Sequence, residues 1–388
     1  MRATRVLMTA DTVGGVWTYA LDLAHMLAGR GCEVTLATMG GYLPHAEARA
    51  VARTRGIHLY ESNFKLEWME DPWADVAQAG EWLLRIAAKT QPDIIHLNNY
   101  AHGSLPWPAP VMMVAHSCVL SWWQAVKGER APESWGRYAA AVRAGLQAAH
   151  LVAAPTYAML YALRRHYGPL PNARVIYNGR DGHCFTPAPK EPLVLAVGRL
   201  WDEAKNVQAL DRAAEHVRWP VYVAGADHHP DGGQQRFAHV HALGRLAPQE
   251  LMGWFGRAAI YALPARYEPF GLSVLEAALS GCALVLGDIA SLREVWGEAA
   301  LYVAPDDTRA LAQVINHLAA DARLRTDLAE AAHARAQQYT LSAMGAGYWQ
   351  AYQSLRAEAV SPAPVNGRPS HVFRPGAAIY QPSTQLGR

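Results

Sequence analysis

Cysteine is scarce in this sequence, and the four present, Cys32, Cys118, Cys184 and Cys282, stand far apart and in no metal-ligand spacing. They read as small apolar residues of a reducing cytoplasm rather than as a disulfide framework. Long apolar runs are missing too: polar or charged residues interrupt each one well short of the ~18 residues that a bilayer-spanning helix needs. The opening segment MRATRVLMTAD runs straight into a strand pattern, so no signal peptide is expected. Lysine is rare, with five residues against thirty arginines, so each lysine carries more information than usual. Together these absences predict a soluble, cytoplasmic protein.

What is present fits a folded enzyme of two units. A chain of 388 residues exceeds one comfortable hydrophobic core. Hydrophobic residues make up 51% and charged residues 18%, which excludes a disordered chain. The net charge is only +2, yet it is unevenly spread. Residues 1–180 hold 17 basic against 13 acidic side chains, residues 181–360 hold 15 against 20, and 361–388 add three arginines and no acid. A mildly basic first half hints at an anionic acceptor or a phospholipid surface, although ordinary surface scatter is the first explanation.

Short apolar runs alternate with helical periodicity. Arg5–Met8, Glu33–Thr38, Ile57–Tyr60, Asp93–Leu97, Val111–Ala115, Leu151–Ala153 and Arg174–Tyr177 read as strands. Gly14-Gly15 breaks the first run, and Val16, Tyr19, Ala20, Leu23 and Leu27 then recur at helical spacing. GHCFTPAPKEP, near residues 182–192, has three prolines and no periodicity and reads as a linker. The alternation restarts with Leu193–Val197, Val221–Ala224, Val240–Leu243, Ile260–Leu263, Ala283–Leu286 and Leu301–Val303. Leu311–Ala336 and Ser342–Ala357 read as two helices, and 361–388 as an extended tail. The pattern predicts an α/β chain of two doubly wound, Rossmann-like domains: residues 1–182, a linker 183–191, and residues 192–341, with helix 342–357 packing back onto the first domain. Ligands in such sheets bind beyond the carboxyl ends of the strands.

The segment PARYEPFGLSVLEAALSG, residues 264–281, follows the strand Ile260–Leu263 and opens a helix near Gly271. A helix start offers free backbone N–H groups and a positive dipole end to an anion, and Gly271 lets a phosphate approach without a Cβ in the way. Glu268 precedes that helix and Glu276 lies about one and a half turns into it. Read alone, both are equally well explained as solvated charges near a helix start. Arg199 and Lys205 follow the first strand of the second domain, where cations can stabilise charge developing on a leaving diphosphate. Exposed basic residues are the competing reading.

Two glutamates eight apart in this setting resemble the E-x₇-E motif of family 4, the glycogen-synthase-like retaining glycosyltransferases of GT-B fold. The resemblance extends over most of the chain. Gly14-Gly15 is similar to the family's Gly-Gly loop, VIYNGRD (175–181) to its V-x-N-G-x-D segment, Val197–Leu200 to its GRL strand end, Lys205-Asn206 to its Lys-Asn pair, and SLREV (291–295) to its G-x-x-E-V element. It implies Glu268, His116, Arg199 and Lys205 as catalytic residues. The implied donor site is Gly14, Gly15, Arg199, Lys205, Arg245, Phe270, Gly271, Leu272 and Glu276. Glu268 would meet the sugar hydroxyls and Glu276 the ribose. The partners implied are a nucleotide-sugar donor, with UDP-glucose first and GDP-mannose next, and a sugar, glycolipid or small-molecule acceptor. A nucleotide sugar is a substrate, so no cofactor is expected, nor any nucleic-acid partner; contact with the inner face of the membrane would be peripheral. A nucleotide-sugar 2-epimerase of the same fold and a non-catalytic sugar-nucleotide binding module are the alternatives.

On the acceptor side, His116 ends the strand Val111–Ala115 and so should reach the cleft. His96 and Asn98 are placed similarly and could line an acceptor pocket or satisfy backbone groups. Trp122, Trp123, Lys127, Arg130 and Arg137 combine aromatic planes with cations, suited to a sugar or a membrane interface, with core packing as the rival. No metal site is expected. No Asp-x-Asp is present, Ala226–Asp231 (ADHHPD) lacks helical spacing to converge its ligands, and Asp306-Asp307 reads as a helix cap.

Overall fold

The computed structural model describes residues 2–228, 232–233 and 235–360. The expected tail 361–388 and the core of the ADHHPD loop, residues 229–231, lie outside the described residues. The first part of the chain runs β1 (Arg5–Asp11), α1 (Gly15–Gly29), β2 (Glu33–Met39), α2 (His45–Ala52), β3 (Ile57–Glu61), α3 (Trp73–Thr90), β4 (Ile94–Leu97), β5 (Val111–Val114), α4 (Val119–Lys127), α5 (Gly136–Ala148), β6 (Leu151–Ala154), α6 (Tyr157–Tyr167) and β7 (Ala173–Val175). The second runs β8 (Glu191–Val197), α7 (Val207–Ala214), β9 (Val221–Ala224), β10 (His241–Gly244), α8 (Pro248–Arg257), β11 (Ala258–Leu263), α9 (Leu272–Leu279), β12 (Ala283–Gly287), α10 (Ala290–Trp296), β13 (Leu301–Val303), α11 (Thr308–Ala320), α12 (Ala322–Ala336) and α13 (Leu341–Val360).

Two parallel sheets result, ordered β3-β2-β1-β4-β5-β6-β7 and β10-β9-β8-β11-β12-β13. Helices cover both faces, which is why strands such as β11 are buried at every residue rather than alternately. This is the GT-B arrangement of two Rossmann-like domains. Each sheet reverses its winding once, between β1 and β4 and between β8 and β11. Those reversals open crevices beyond the strand ends.

The final helix returns to the first domain. Met344, Tyr348, Ala351, Tyr352 and Leu355 of α13 share one core cluster with Tyr19, Leu23 and Leu27 of α1. The chain therefore crosses between domains twice, and the crossings touch. Arg180 N donates to Tyr339 O at 3.1 Å and Leu341 N to Arg180 O at 3.0 Å. A Cβ on Gly179 would lie 2.1 Å from Thr340 O, so this contact requires glycine.

One expectation is corrected. Leu311–Ala336 is not a single helix but α11 and α12, broken at Asp321, whose carboxylate accepts Leu324 N at 2.9 Å. Alanine periodicity runs through the break, whereas the short acidic side chain starts a new helix as its cap. Asp307 caps α11 in the same way, accepting Ala310 N at 2.8 Å. Among the described residues no helix is long and apolar enough to cross a membrane.

Candidate active site

The two crevices face each other. β1 ends at Asp11 and leads through Gly14 into α1; Gly14 has φ 95°, a backbone state that other residues rarely adopt. A Cβ there would sit 3.6 Å from Arg199 of the second domain, and one on Gly15 3.5 Å from Leu272, the first residue of α9. Neither α1 nor α9 has a side-chain cap at its start, and neither has an acid in its first turn. Gly271, before α9, also has positive φ, 91°. Two uncapped helix N-termini thus meet in the cleft, and their free N–H groups and dipoles favour an anion.

Two cations stand beside them. Arg199 Nη2 donates to Asp202 Oδ2 at 2.7 Å, and Lys205 Nζ pairs with Glu268 Oε2. Burial would push the Asp202 carboxyl up, but Arg199, Lys205, Trp122 Nε1–H and Ala204 N–H together hold it below the usual carboxylate range. Glu268 is 8% exposed, and its other oxygen lies 3.5 Å from Phe270 N. The first domain grips the chain on both sides of it: Cys118 N donates to Tyr267 Oη at 3.1 Å, and Thr156 Oγ1 to Pro269 O at 2.9 Å. Ser291 Oγ donates to the Glu268 carbonyl at 2.5 Å. Phe270 itself is buried against Tyr339.

The first domain's crevice is built around a buried amide and a buried imidazole. Asn98 Nδ2 donates to Thr9 O at 2.6 Å, which orients the amide so that Oδ1 accepts from His116 Nε2 at 2.8 Å. His116 therefore carries its proton on Nε2 and has Nδ1 as a lone pair. Burial pushes its pKa down to about 3, with His96 lowering it further, so the ring is neutral at ordinary pH. Asp11 shares this crevice. Burial raises its carboxyl to about 7 against the opposing pull of Val13 N–H and Arg199. Glu67, raised by burial to about 7, accepts Tyr100 N at 2.9 Å and Ala101 N at 2.6 Å and so pins the turn after β4.

Glu276 lies at the rear of the cleft with its side chain 12% exposed. Burial raises it to about 7, while Arg180 acts the other way. Arg180 Nε sits 2.9 Å from Glu276 Oε1, and Nη1 pairs with Asp22 of α1.

The structure thus brings Gly14, Gly15, Arg199, Lys205, Glu268, Gly271, Leu272 and, behind them, Glu276 to one cleft, with His116 on the opposing strand end. Other sequence expectations are corrected by position. His96 is 0% exposed, its ring hydrogen-bonded to Tyr352 Oη at 2.6 Å and Asn98 at 3.2 Å, so it lies beneath the cleft floor instead of lining a pocket. Asn98 orients His116 through its Oδ1, which also faces His96, while its Nδ2 donates to Thr9 O. Trp122 Nε1 donates to Asp202 Oδ1 at 3.0 Å and Lys127 Nζ to Glu203 Oε2 at 2.7 Å, so both tie α4 to the second domain rather than forming an open acceptor surface. Trp123 turns to Glu129 at 3.5 Å, and Arg130 is exposed beyond α4. Arg245 is exposed just beyond the carboxyl end of β10, two strands from β8. Among the described residues no group of His, Cys, Asp or Glu could hold a metal ion.

Several residues escaped the sequence reading. Asp11 was visible only as the last residue of β1 at a crevice whose position needs the strand order. Asp202 follows Arg199 closely and could have been paired with it. Arg180 lies inside VIYNGRD but has no partner close in sequence. Glu294, within SLREV, accepts Tyr157 N and Ala158 N at 2.8 Å each, capping α6 across the domain interface.

Comparison with known proteins agrees with this fold. The profile of Glycosyltransferase Family 4 matches residues 13–182, and that of Glycosyl transferases group 1 matches residues 191–321. A D-inositol 3-phosphate glycosyltransferase from Xylanimonas cellulosilytica is 26% identical over 370 residues, covering 84% of this chain and 88% of that one. Among solved structures, a sucrose-phosphate synthase from Thermosynechococcus elongatus superposes with a TM-score of 0.78 at 21% identity, covering 92% of this chain and all of that one (100%). The Anabaena protein HepE, in complex with UDP-glucose, gives 0.70 at 18% identity over 90% of this chain and 100% of its own.

Proposed function

Because the chain belongs to the family 4 glycosyltransferases, we propose that it moves a hexosyl group, with retention of configuration, from a nucleotide-diphosphate sugar to a sugar, lipid-linked or small-molecule acceptor. The observation that carries this reading is the meeting of two uncapped helix N-termini with Arg199 and Lys205. Such a site matches a diphosphate: its charge is met by N–H groups and cations that need no reorganisation as more charge develops on the leaving group. UDP-glucose is the first donor to test, since HepE binds it in the same fold, and GDP-mannose the second.

In this reading the donor diphosphate lies between Gly14-Gly15 and Gly271-Leu272. Arg199 clamps phosphate oxygens, and Lys205 turns part of its charge from Glu268 to the outer phosphate. Glu268, fixed by the first domain's grip on Tyr267 and Pro269, then accepts hydrogen bonds from the sugar hydroxyls. His116 offers a neutral ring to the same sugar. Glu276 takes the ribose hydroxyls. As the family resemblance implies, the acceptor hydroxyl attacks on the face of the departing phosphate, whose oxygen takes the proton. The charge that a divalent ion supplies in other transferases comes here from Arg199 and Lys205, and the reaction is metal-independent. It takes place in the cytoplasm, a lipid-linked acceptor being reached at the membrane surface.

Product analysis tests the proposal. Incubation with UDP-glucose or GDP-mannose and an acceptor panel should yield a glycoside whose anomeric proton matches the donor's configuration. A new sugar nucleotide formed from donor alone would instead support the epimerase alternative, and an inverted anomer would overturn the mechanism.

A further inference from the structure

Arg180 is the residue at which the two chain crossings meet, and its side chain is the place where a partly buried carboxylate of each domain converges. Its backbone is held by Tyr339 and Leu341, so the side chain starts from a fixed point on the interdomain crossing. From there it reaches Asp22 on α1 of the first domain and Glu276 on α9 of the second. Side-chain exposures of 17% for Arg180, 24% for Asp22 and 12% for Glu276 keep the group mostly out of water. Its guanidinium also lies over the Phe185 ring at 5.2 Å, which limits its freedom to swing.

The three charges do not cancel. One guanidinium faces two carboxylates, and Asp22 raises the cost of ionising Glu276 as burial does. Arg180 acts in the opposite sense. Its Nε–H is buried and, although 2.9 Å from Glu276, has no aligned acceptor. A buried N–H without an aligned partner is costly, and this one stands beside a carboxylate, so a diol entering between them would give the carboxylate a donor and the N–H an acceptor.

We infer that Arg180 is a positioning residue for the nucleotide ribose: it holds Glu276 ionised and aimed, and supplies the complementary donor, from the crossing between the domains. This rests on the reading of Glu276 as the ribose ligand. A lysine in its place keeps the charge but lacks the fork that reaches two carboxylates at once. An uncharged side chain in its place would leave two partly buried acids with no cation between them.

The test compares ligands with and without the hydroxyls. Affinities of UDP and GDP, each against its 2′,3′-dideoxy form, are measured by titration calorimetry for the wild type, Arg180→Met, Arg180→Lys and Glu276→Ala. The wild type should prefer the hydroxylated form of the base it binds by roughly tenfold to a hundredfold, the scale of a charge-assisted hydrogen bond. Arg180→Met should lose that preference while binding the dideoxy form as the wild type does, and Arg180→Lys should keep part of it. Full preference retained in Arg180→Met, with Glu276→Ala losing it, would overturn the inference and leave the ribose reading of Glu276 standing. If the wild type and Glu276→Ala are equally indifferent to the hydroxyls, it is the ribose reading that fails. Should Arg180→Met bind neither nucleotide, Arg180→Lys decides: a reduced preference supports the role, and an unchanged one removes it.

Discussion

The two sides of the cleft are wired in opposite ways. On the second domain the working groups are ion pairs, Arg199 with Asp202 and Lys205 with Glu268, and the rim adds Arg266 with Asp306. On the first domain they are buried titratable groups without a charged partner in contact. His96 and His116 are pushed down to about 3 and are neutral at ordinary pH, while Asp11 and Glu67 are pushed up to about 7 and are only part ionised there. The difference lies in what each can offer a ligand. Paired cations can be turned onto a diphosphate, whereas fixed neutral donors and acceptors suit uncharged hydroxyls. In the proposed reading the second domain's cations meet the diphosphate, and Glu268, held where the domains meet, faces the sugar together with His116 of the first domain.

The largest effect should come from breaking the charged side at that meeting point. Glu268→Gln keeps the size of the side chain and removes its charge. It should lower kcat by about 10²–10³, the loss typical of a preorganised electrostatic contact. Turnover at the wild-type rate would take Glu268 out of the reaction. Glu276→Ala should act differently, raising donor KM with kcat little changed, because ribose contacts are alike in ground and transition states. A collapsed kcat at unchanged KM would mean that the two glutamates have exchanged roles.

The neutral side predicts a pH effect on stability. His96 has its folded pKa depressed to about 3 from an ordinary value near 6.5. Above about pH 6.5 it costs nothing. Below that the unfolded chain takes a proton that the folded chain refuses, so stability falls with acidification, by about 1.4 kcal/mol per pH unit for this one group. Asp11, Glu67 and Glu276, raised to about 7, act in the opposite direction as pH drops from 7 to their unfolded values. The histidine contribution is therefore read as a difference: urea unfolding of His96→Gln should show a less acid-sensitive stability than the wild type between pH 6.5 and 5. Parallel curves would show that His96 is not held neutral by the fold.

The smallest effect concerns the rim of the first domain. Lys127 already pairs with Glu203, and Arg137 lies over the Trp73 ring at 4.6 Å. Replacing Lys127, Arg130 and Arg137 together by Gln should change acceptor KM no more than about threefold, the scale of screened surface charges. A much larger rise that disappears at high salt would mean that the acceptor is anionic and that the neutral side is not where it is selected.

This asymmetry also explains what could be read in advance. The strands were legible because parallel strands buried on both faces are continuous apolar runs, and the charged motif around Glu268 because its residues are local in sequence. Lys205 and Glu268 are 63 residues apart, yet each sits at a strand end that the alternation already marks. His96 was misplaced because a histidine at a strand end reads alike above and below the cleft floor. What buries it is Tyr352, 256 residues away on the returning helix α13. Trp122 and Lys127 were read as an acceptor surface because their partners, Asp202 and Glu203, belong to the other domain. The break at Asp321 was hidden by alanines on both sides, and the Arg180 group required knowing where the two crossings meet.

The central claim, that the facing helix starts and the two cations form a metal-independent diphosphate site, is tested most directly by titration calorimetry in EDTA. UDP, UDP-glucose, GDP and GDP-mannose are titrated into the wild type and into Arg199→Ala and Lys205→Ala variants. The account predicts that one nucleotide pair binds the wild type with chelator present and that each variant weakens it by at least about tenfold, the loss of one charge-assisted contact. Binding that vanishes in EDTA and returns with Mn²⁺, or variants that bind as the wild type does, would contradict it.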